Sequence, residues 1–280
     1  MERITVEIKK LNIDLEQKVE YRTKMLRETL TELERSKEEL SESLEKEKEL
    51  NELKSRFVTT ASHEFRTPLS TILSSSFLLE KYNDADEPGK REKHIHRIKN
   101  AVEDMRAILE DFLSLGKLEE GLIKINAEEF SADQLSSEIK SIIGEMENLC
   151  KKGQHISFSQ SGQFKVVIDK MLFKNIVINL LSNAIKFSPE NSVINIHCNI
   201  TSENLRVSIK DNGIGISEED REHLSQRFFR AKNAVNIQGT GLGLHIVTKY
   251  LELMDGDIEI ESKLNEGSVF TFVIPQKINR

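Results

Sequence analysis

Near the start of the chain, apolar residues recur at alternating steps of four and three. Leu26, Leu30, Leu33, Leu40 and Leu44 keep this rhythm once Lys37 is placed in the series. That is the a/d seam of a coiled coil with one polar a position. Charges of both signs fill the remaining positions, as on a solvated helix face. No Pro or Gly interrupts residues 1–56. A seam this narrow needs a partner helix to bury it, so the pattern predicts a parallel two-stranded coiled coil rather than a solitary charged helix. Near Leu50, Leu53 and Phe57 the seam restarts one residue early, a slip of register.

The helical pattern continues through Phe65, Leu69, Ile72, Leu73 and Leu79 and stops in the breaker-rich stretch Tyr82 to Gly89. A second helix is expected from about Glu92 to Leu118, with Ile95, Ile98, Val102, Met105, Leu109, Phe112 and Leu115 at heptad spacing. Two helices joined by a short loop form a hairpin. One hairpin buries its stripe poorly, and two make a four-helix bundle, so a homodimer is expected.

After Gly121 short β-like runs appear: Leu122–Ile125, His155–Phe158, Phe164–Ile168, Val193–Ile200, Leu205–Ile209, Ile258–Glu261 and Ser268–Ile274. Alternation is clearest where Val193, Asn195 and His197 interleave with Ile194, Ile196 and Cys198. Helices are expected between the runs, at about 131–150, 169–187, 218–229 and 242–254. The division that follows is a coiled-coil linker over 1–56, a helical hairpin over 57–120 and an α/β domain over 121–280, with helices covering a sheet.

Composition narrows the function classes. The 280 residues carry 47 Asp and Glu against 40 Lys and Arg, a net charge of −7, which argues against a generic nucleic-acid binder. No apolar run approaches the roughly 18 residues a bilayer span needs, and the N-terminus has no hydrophobic signal core. Cys150 and Cys198 lie far apart, without the spacing of a metal site or disulfide framework. A reduced, cytoplasmic setting is expected, either for the whole protein or for the cytoplasmic part of a larger sensor.

Four stretches carry candidate chemistry. In Ser62-His63-Glu64-Phe65-Arg66-Thr67-Pro68-Leu69, His63 falls off the apolar seam. Glu64 can take a hydrogen bond from one imidazole nitrogen and leave the other lone pair free to attack. Thr67 shares the His63 face one turn on. Pro68 cannot donate to the Glu64 carbonyl and is expected to bend the helix. A plain solvated histidine in a charged helix remains open on spacing alone. Asn179, Asn183 and Lys186 share one face of a helix, opposite Leu180, Leu181, Ala184 and Ile185. Asn is a poor interior helix residue, and an amide oxygen beside a lysine suits a magnesium–phosphate ligand; a polar outer face is the alternative. Asp211-Asn212-Gly213-Ile214-Gly215 follows a strand, where a carboxylate can read an exocyclic amine and the glycines let backbone approach a flat ring. It is also an ordinary turn sequence. Gly239-Thr240-Gly241-Leu242-Gly243 opens a helix and offers free N–H groups to an anion, without the strand of a dinucleotide fingerprint.

In this order and spacing, the motifs resemble the catalytic core of a bacterial sensor histidine kinase over about residues 55–276. Ser62–Leu69 is similar to the H-box, Asn179–Lys186 to the N-box and Asp211–Gly215 to the first glycine box. Phe228-Phe229-Arg230 is similar to the F-box and Gly239–Gly243 to the second glycine box. The resemblance implies a dimerisation and phosphoacceptor domain followed by an α/β sandwich ATP-binding domain of the gyrase, chaperone, kinase and mismatch-repair (GHKL) type.

It further implies that His63 attacks the γ-phosphate of ATP, with Glu64 orienting and deprotonating it, and that ADP leaves. Asn183 would be the direct Mg²⁺ ligand, with Asn179 and Lys186 on phosphates or their water. Asp211 would read the adenine amino group, with Gly213 and Gly215 lining the base and Phe187 packing on the nucleotide. Arg230 would reach the γ-phosphate. Residues 217–240 would form a lid, which Gly239, Thr240, Gly241, Leu242 and Gly243 would close. The implied partner is a response regulator receiver domain, with Thr67 serving its dephosphorylation. Leu224 and Ser225 depart from the family, in which an aromatic residue often precedes the F-box. A conformational ATPase of the same superfamily would leave His63-Glu64 and the coiled coil unexplained. A scaffold with a degenerate site would leave the full motif set unexplained.

Overall fold

The computed structural model describes residues 2–81, 89–235, 237 and 239–276, with side chains of residues 2–11 and of several positions between 46 and 57 left aside. The register slip at Leu50, Leu53 and Phe57 and the breaker-rich stretch 82–88 therefore lie outside the described residues. The chain divides into two units, Met1–Val58 and Thr59–Arg280.

The first unit is helical, part of α1 (Glu2–Lys81). Its seam is bare along the chain, with Leu26 62% and Leu33 64% exposed. No helix among the described residues is long and apolar enough to cross a membrane.

The second unit begins with the rest of α1, followed by α2 (Lys90–Glu119). Their packing includes Phe65 and Phe112, whose ring centroids lie 6.4 Å apart. The helical assignment runs through Pro68. α2 ends where the Leu122 N–H reaches back to the Lys117 carbonyl and Gly121 turns left-handed, with φ 65°.

The α/β part contains β1 (Ala127–Phe130), α3 (Ala132–Glu147), β2 (His155–Ser161), β3 (Val166–Asp169) and α4 (Lys170–Phe187). It continues with β4 (Val193–Ile200), β5 (Asn204–Asp211), the short α5 (Glu218–Arg221), α6 (Gly243–Leu253), β6 (Asp257–Lys263) and β7 (Gly267–Pro275). The main sheet runs β2-β4-β5-β7-β6, with β2 and β4 parallel and the other pairs antiparallel. A separate antiparallel pair joins β1 to β3. Alternate residues of the strands, such as Ile194, Ile196, Cys198 and Ile200, are buried with α3 and α4 side chains including Ile139, Phe173, Ile176 and Leu180. The Phe173 ring meets Phe272 of β7 nearly edge-on at 6.0 Å. A helical region followed by an α/β sheet domain is thus the architecture expected from the pattern.

Two element expectations are corrected. Residues 122–126 are irregular, and the strand lies at Ala127–Phe130. It is fixed by pairing with β3 and by the Asp169 carboxylate, which accepts from the Asn126 N–H at 2.7 Å. The helix expected over 218–229 stops at Arg221. Phe228 has φ 62°, outside the helical region, and its N–H pairs with the Gly241 carbonyl.

Candidate functional site

His63 and Glu64 are neighbours with opposite environments. The His63 side chain is 73% exposed and that of Glu64 is 5% exposed. Successive helix residues are turned by about 100°, so the two cannot face the same way. Thr67, four residues after His63, is exposed as His63 is. Glu64 Oε1 stands 3.7 Å from His63 Nδ1 and 3.5 Å from Arg230 Nη1. Its Oε2 accepts the Gly239 N–H at 3.1 Å.

α4 presents Asn179, Asn183 and Lys186 to a cavity while Leu180, Leu181, Ala184 and Ile185 fill the core. The helix starts firmly because Asp169 Oδ1 accepts from the N–H groups of Met171 (2.9 Å) and Leu172 (3.0 Å). Its far end is held by two residues from the α3–β2 connection. Lys151 Nζ donates to the carbonyls of Lys186 and Ser188, and Gln154 Nε2 to those of Ile185, Ser188 and Pro189. Burial pushes the Lys186 ammonium down from the usual lysine range, and Arg230 adds to this. Glu64, Asp104 and Asp111 pull the other way. Its Nζ also lies 5.1 Å from the Phe187 ring centroid.

Asp211 ends β5 and is buried. Its Oδ1 accepts the Gly213 N–H at 2.7 Å. Burial raises its carboxyl above the usual range, against backbone hydrogen bonds from Gly213 and Ser268. A β-carbon on Gly213 would lie 2.7 Å from that Oδ1 and 2.8 Å from the Phe187 carbonyl oxygen. Only glycine therefore lets the chain pass so close to the carboxylate.

The segment between α5 and α6 is tied down at intervals. Asp220 accepts the Lys232 N–H, and Asn233 donates to the Gly215 carbonyl. Arg230 Nη2 donates to the carbonyls of Ala234, Val235 and Ile237. Arg227 pairs with Glu119 of α2, and its Nε donates to His245 Nε2 at 3.3 Å. The departure from the family sequence leaves Leu224 lining the cavity, while the His223 and Phe229 rings meet at 5.6 Å. Asn236 and Gln238 lie outside the described residues. Thr240 donates its hydroxyl to Asp111 Oδ2 at 2.8 Å and accepts the Leu242 N–H at 3.2 Å. α6 then opens at Gly243 with no side chain capping it, which leaves donors at its start.

These pieces converge on one cavity of about 1120 Å³. Glu64, Asn179, Asn183, Lys186, Phe187, Asp211, Gly215, Arg230, Gly239, Thr240, Gly241 and Gly243 line it. Gly213, hydrogen-bonded to Asp211, is not among the lining residues, and Leu242 is fully buried. His63 and Thr67 are not among the lining residues. Sequence reasoning missed Asp104 and Asp111, which also line the cavity and whose carboxyls burial pushes up. Their seven-residue spacing on one face of α2 was the available signal. Lys151 and Ser268 were missed too, and nothing local marks them.

A site with hard amide oxygens, a lysine and an uncapped helix start on one side and a buried carboxylate beside glycines on the other suits a polyanion joined to a flat base. The His Kinase A (phospho-acceptor) domain matches residues 53–121, and the histidine kinase-, DNA gyrase B- and HSP90-like ATPase domain matches residues 168–278. The chain belongs to the histidine kinase family. This histidine kinase core is 31% identical over 275 residues to the signal transduction histidine-protein kinase BarA of Escherichia coli K12, covering 95% of this chain and 29% of BarA. It is 31% identical over 249 residues to the sensor histidine kinase RcsC of Salmonella typhimurium, covering 88% of this chain and 26% of RcsC. The chain thus spans under a third of the length of these curated relatives. Among solved structures, histidine kinase ThkA in complex with the response regulator protein TrrA superposes with a TM-score of 0.57 at 26% identity. That match covers 77% of this chain and 60% of ThkA.

Proposed function

We propose that this core binds ATP in the cavity, transfers the γ-phosphate to His63, and passes it on to an Asp of a response regulator. The observation that carries the reading is the convergence of Asn179, Asn183, Lys186, Asp211 and the Gly239–Gly243 loop on one cavity, with the residue next to His63 forming part of its wall. Asp211 accepts from the adenine amino group, Gly213 and Gly215 leave room for the ring, and Phe187 packs on it. Lys186, Arg230, Thr240 and the N–H groups from Gly239 to Gly243, Leu242 included, hold the phosphates. The Asn183 amide oxygen fits Mg²⁺, which when bound offsets phosphate charge, and Asn179 supports its water shell.

In the transfer itself an imidazole nitrogen of His63 bonds to the γ-phosphorus as its bond to the β–γ bridging oxygen breaks, and ADP leaves. Nδ1 lies on the Glu64 side, so Nε2 is the attacking atom and Glu64 takes the Nδ1 proton. The division of labour is a coiled-coil signalling linker at 1–56, a dimerisation and phosphoacceptor hairpin at 57–120, and the catalytic domain at 121–280. The dimer is a parallel coiled coil continuing into a four-helix bundle, and the working location is the cytoplasm. The ThkA complex with TrrA supports a receiver domain as partner.

The test is incubation with γ-labelled ATP and Mg²⁺. Acid-labile, alkali-stable label is expected on the wild type and should be lost in His63→Gln, while nucleotide binding survives. Label retained by His63→Gln would overturn the assignment.

A further inference from the structure

Among the described residues, the hydrogen bonds and ion pairs that Glu64 and Asp111 make beyond their own helices go to groups that the proposed function assigns to nucleotide phosphates. Glu64 accepts the Gly239 N–H at 3.1 Å and faces Arg230 at 3.5 Å. Asp111 accepts the Thr240 hydroxyl at 2.8 Å. Asp104 and Asp111, together with Glu64, lie within the electrostatic reach of Lys186. Two carboxylates of the helical hairpin, those of Glu64 and Asp111, thus occupy anion positions of the cavity wall, and a third, Asp104, also lines it. Anionic oxygens on an N–H, a hydroxyl and a guanidinium are the contacts a polyphosphate makes.

We propose that these carboxylates form a latch that mimics the phosphates and holds the hairpin against the ATP domain until the triphosphate displaces it. The proposal rests on ATP occupying this cavity. Two carboxylates cannot share the Gly239 and Thr240 donors with a triphosphate, and like charges at such distances repel strongly in a half-buried site. The latched arrangement also turns Glu64, not His63, towards the proposed phosphate-binding groups of this chain. Nucleotide binding and release of the hairpin for phosphotransfer are therefore one event. The Arg227–Glu119 pair joins the same two parts farther along α2 and is free to act as the pivot. A ligand shifts such an equilibrium only by its differential affinity for the two states. The triphosphate has that difference because its phosphates compete with the latch. Adenosine, which reaches only the Asp211 end, has none.

The test is calorimetric binding of a non-hydrolysable ATP analogue and of adenosine to the whole chain. Asp111→Asn should bind the analogue about three- to tenfold more tightly than wild type, as expected when a competing charge-assisted contact is removed. Adenosine affinity should not change. Glu103→Gln makes the same charge change on the exposed side, where Glu103 pairs with Arg106 at 3.4 Å, and should alter neither affinity. If Asp111→Asn proves unstable, Asp104→Asn repeats the test with a smaller gain, having no Thr240 hydrogen bond to lose. Unchanged or weaker analogue binding in the folded variant overturns the latch. Equal tightening of adenosine does so too, because it signals a general loosening. Failure of the wild type to bind either compound overturns the ATP reading itself and the latch with it.

Discussion

On the proposed function, Thr67 places a second reaction, regulator dephosphorylation, one turn of helix from His63. It shares the solvent side of α1 with His63 and lies apart from the nucleotide cavity. On the proposed function its hydroxyl takes no part in attack on ATP and faces a regulator docked at His63. There it can hold a water in line with a phospho-Asp, a positioning effect. Thr67→Ala should keep autophosphorylation and phosphotransfer while slowing regulator dephosphorylation on the order of 10²-fold. Comparing decay of the phosphorylated regulator with each protein checks this, and equal decay would make Thr67 structural only.

Among the elements, α4 shows best how local sequence fixes functional geometry. Asp169 ends β3, caps α4 through two N–H groups and anchors Asn126 ahead of β1. Asp169→Ala should cost about 1–2 kcal/mol and lower the melting temperature by about 2–8 °C, measured by circular dichroism, with weaker nucleotide binding because α4 carries Asn179 and Asn183. Legibility also varied by element. β4 was legible to the residue because Ile194, Ile196, Cys198 and Ile200 must all bury on one face. The stretch after α5 was misleading. Its apolar spacing suits a helix, but the Ser225 carbonyl goes to His245 and Phe228 turns left-handed against Gly241. The motifs on α4 and after β5 were readable because each is local. The contacts of Glu64 with Gly239 and Asp111 with Thr240 join residues 175 and 129 apart, and no periodicity encodes them.

At the scale of the molecule, the exposed leucine seam bears on assembly. Burying a leucine is worth about 1.5–3 kcal/mol, and a two-stranded coil buries each seam position twice. Leu33→Lys should therefore weaken the proposed dimer by about 3–6 kcal/mol, or at least a hundredfold in Kd. Sedimentation equilibrium checks this, and an unchanged dimer would show that the bundle alone holds the chains together.

The strand order has a consequence for how the protein is made. β7 follows β6 in sequence yet inserts between β5 and β6, and its Ser268 pairs with Asp211. A ribosome releases the helical hairpin and four strands of the main sheet before the strand that completes the Asp211 end exists. The hairpin, built from neighbours in sequence, can form during that interval, whereas the sheet must wait for distant pairings. A newly made chain can therefore form its helices before the Asp211 end of the cavity is complete.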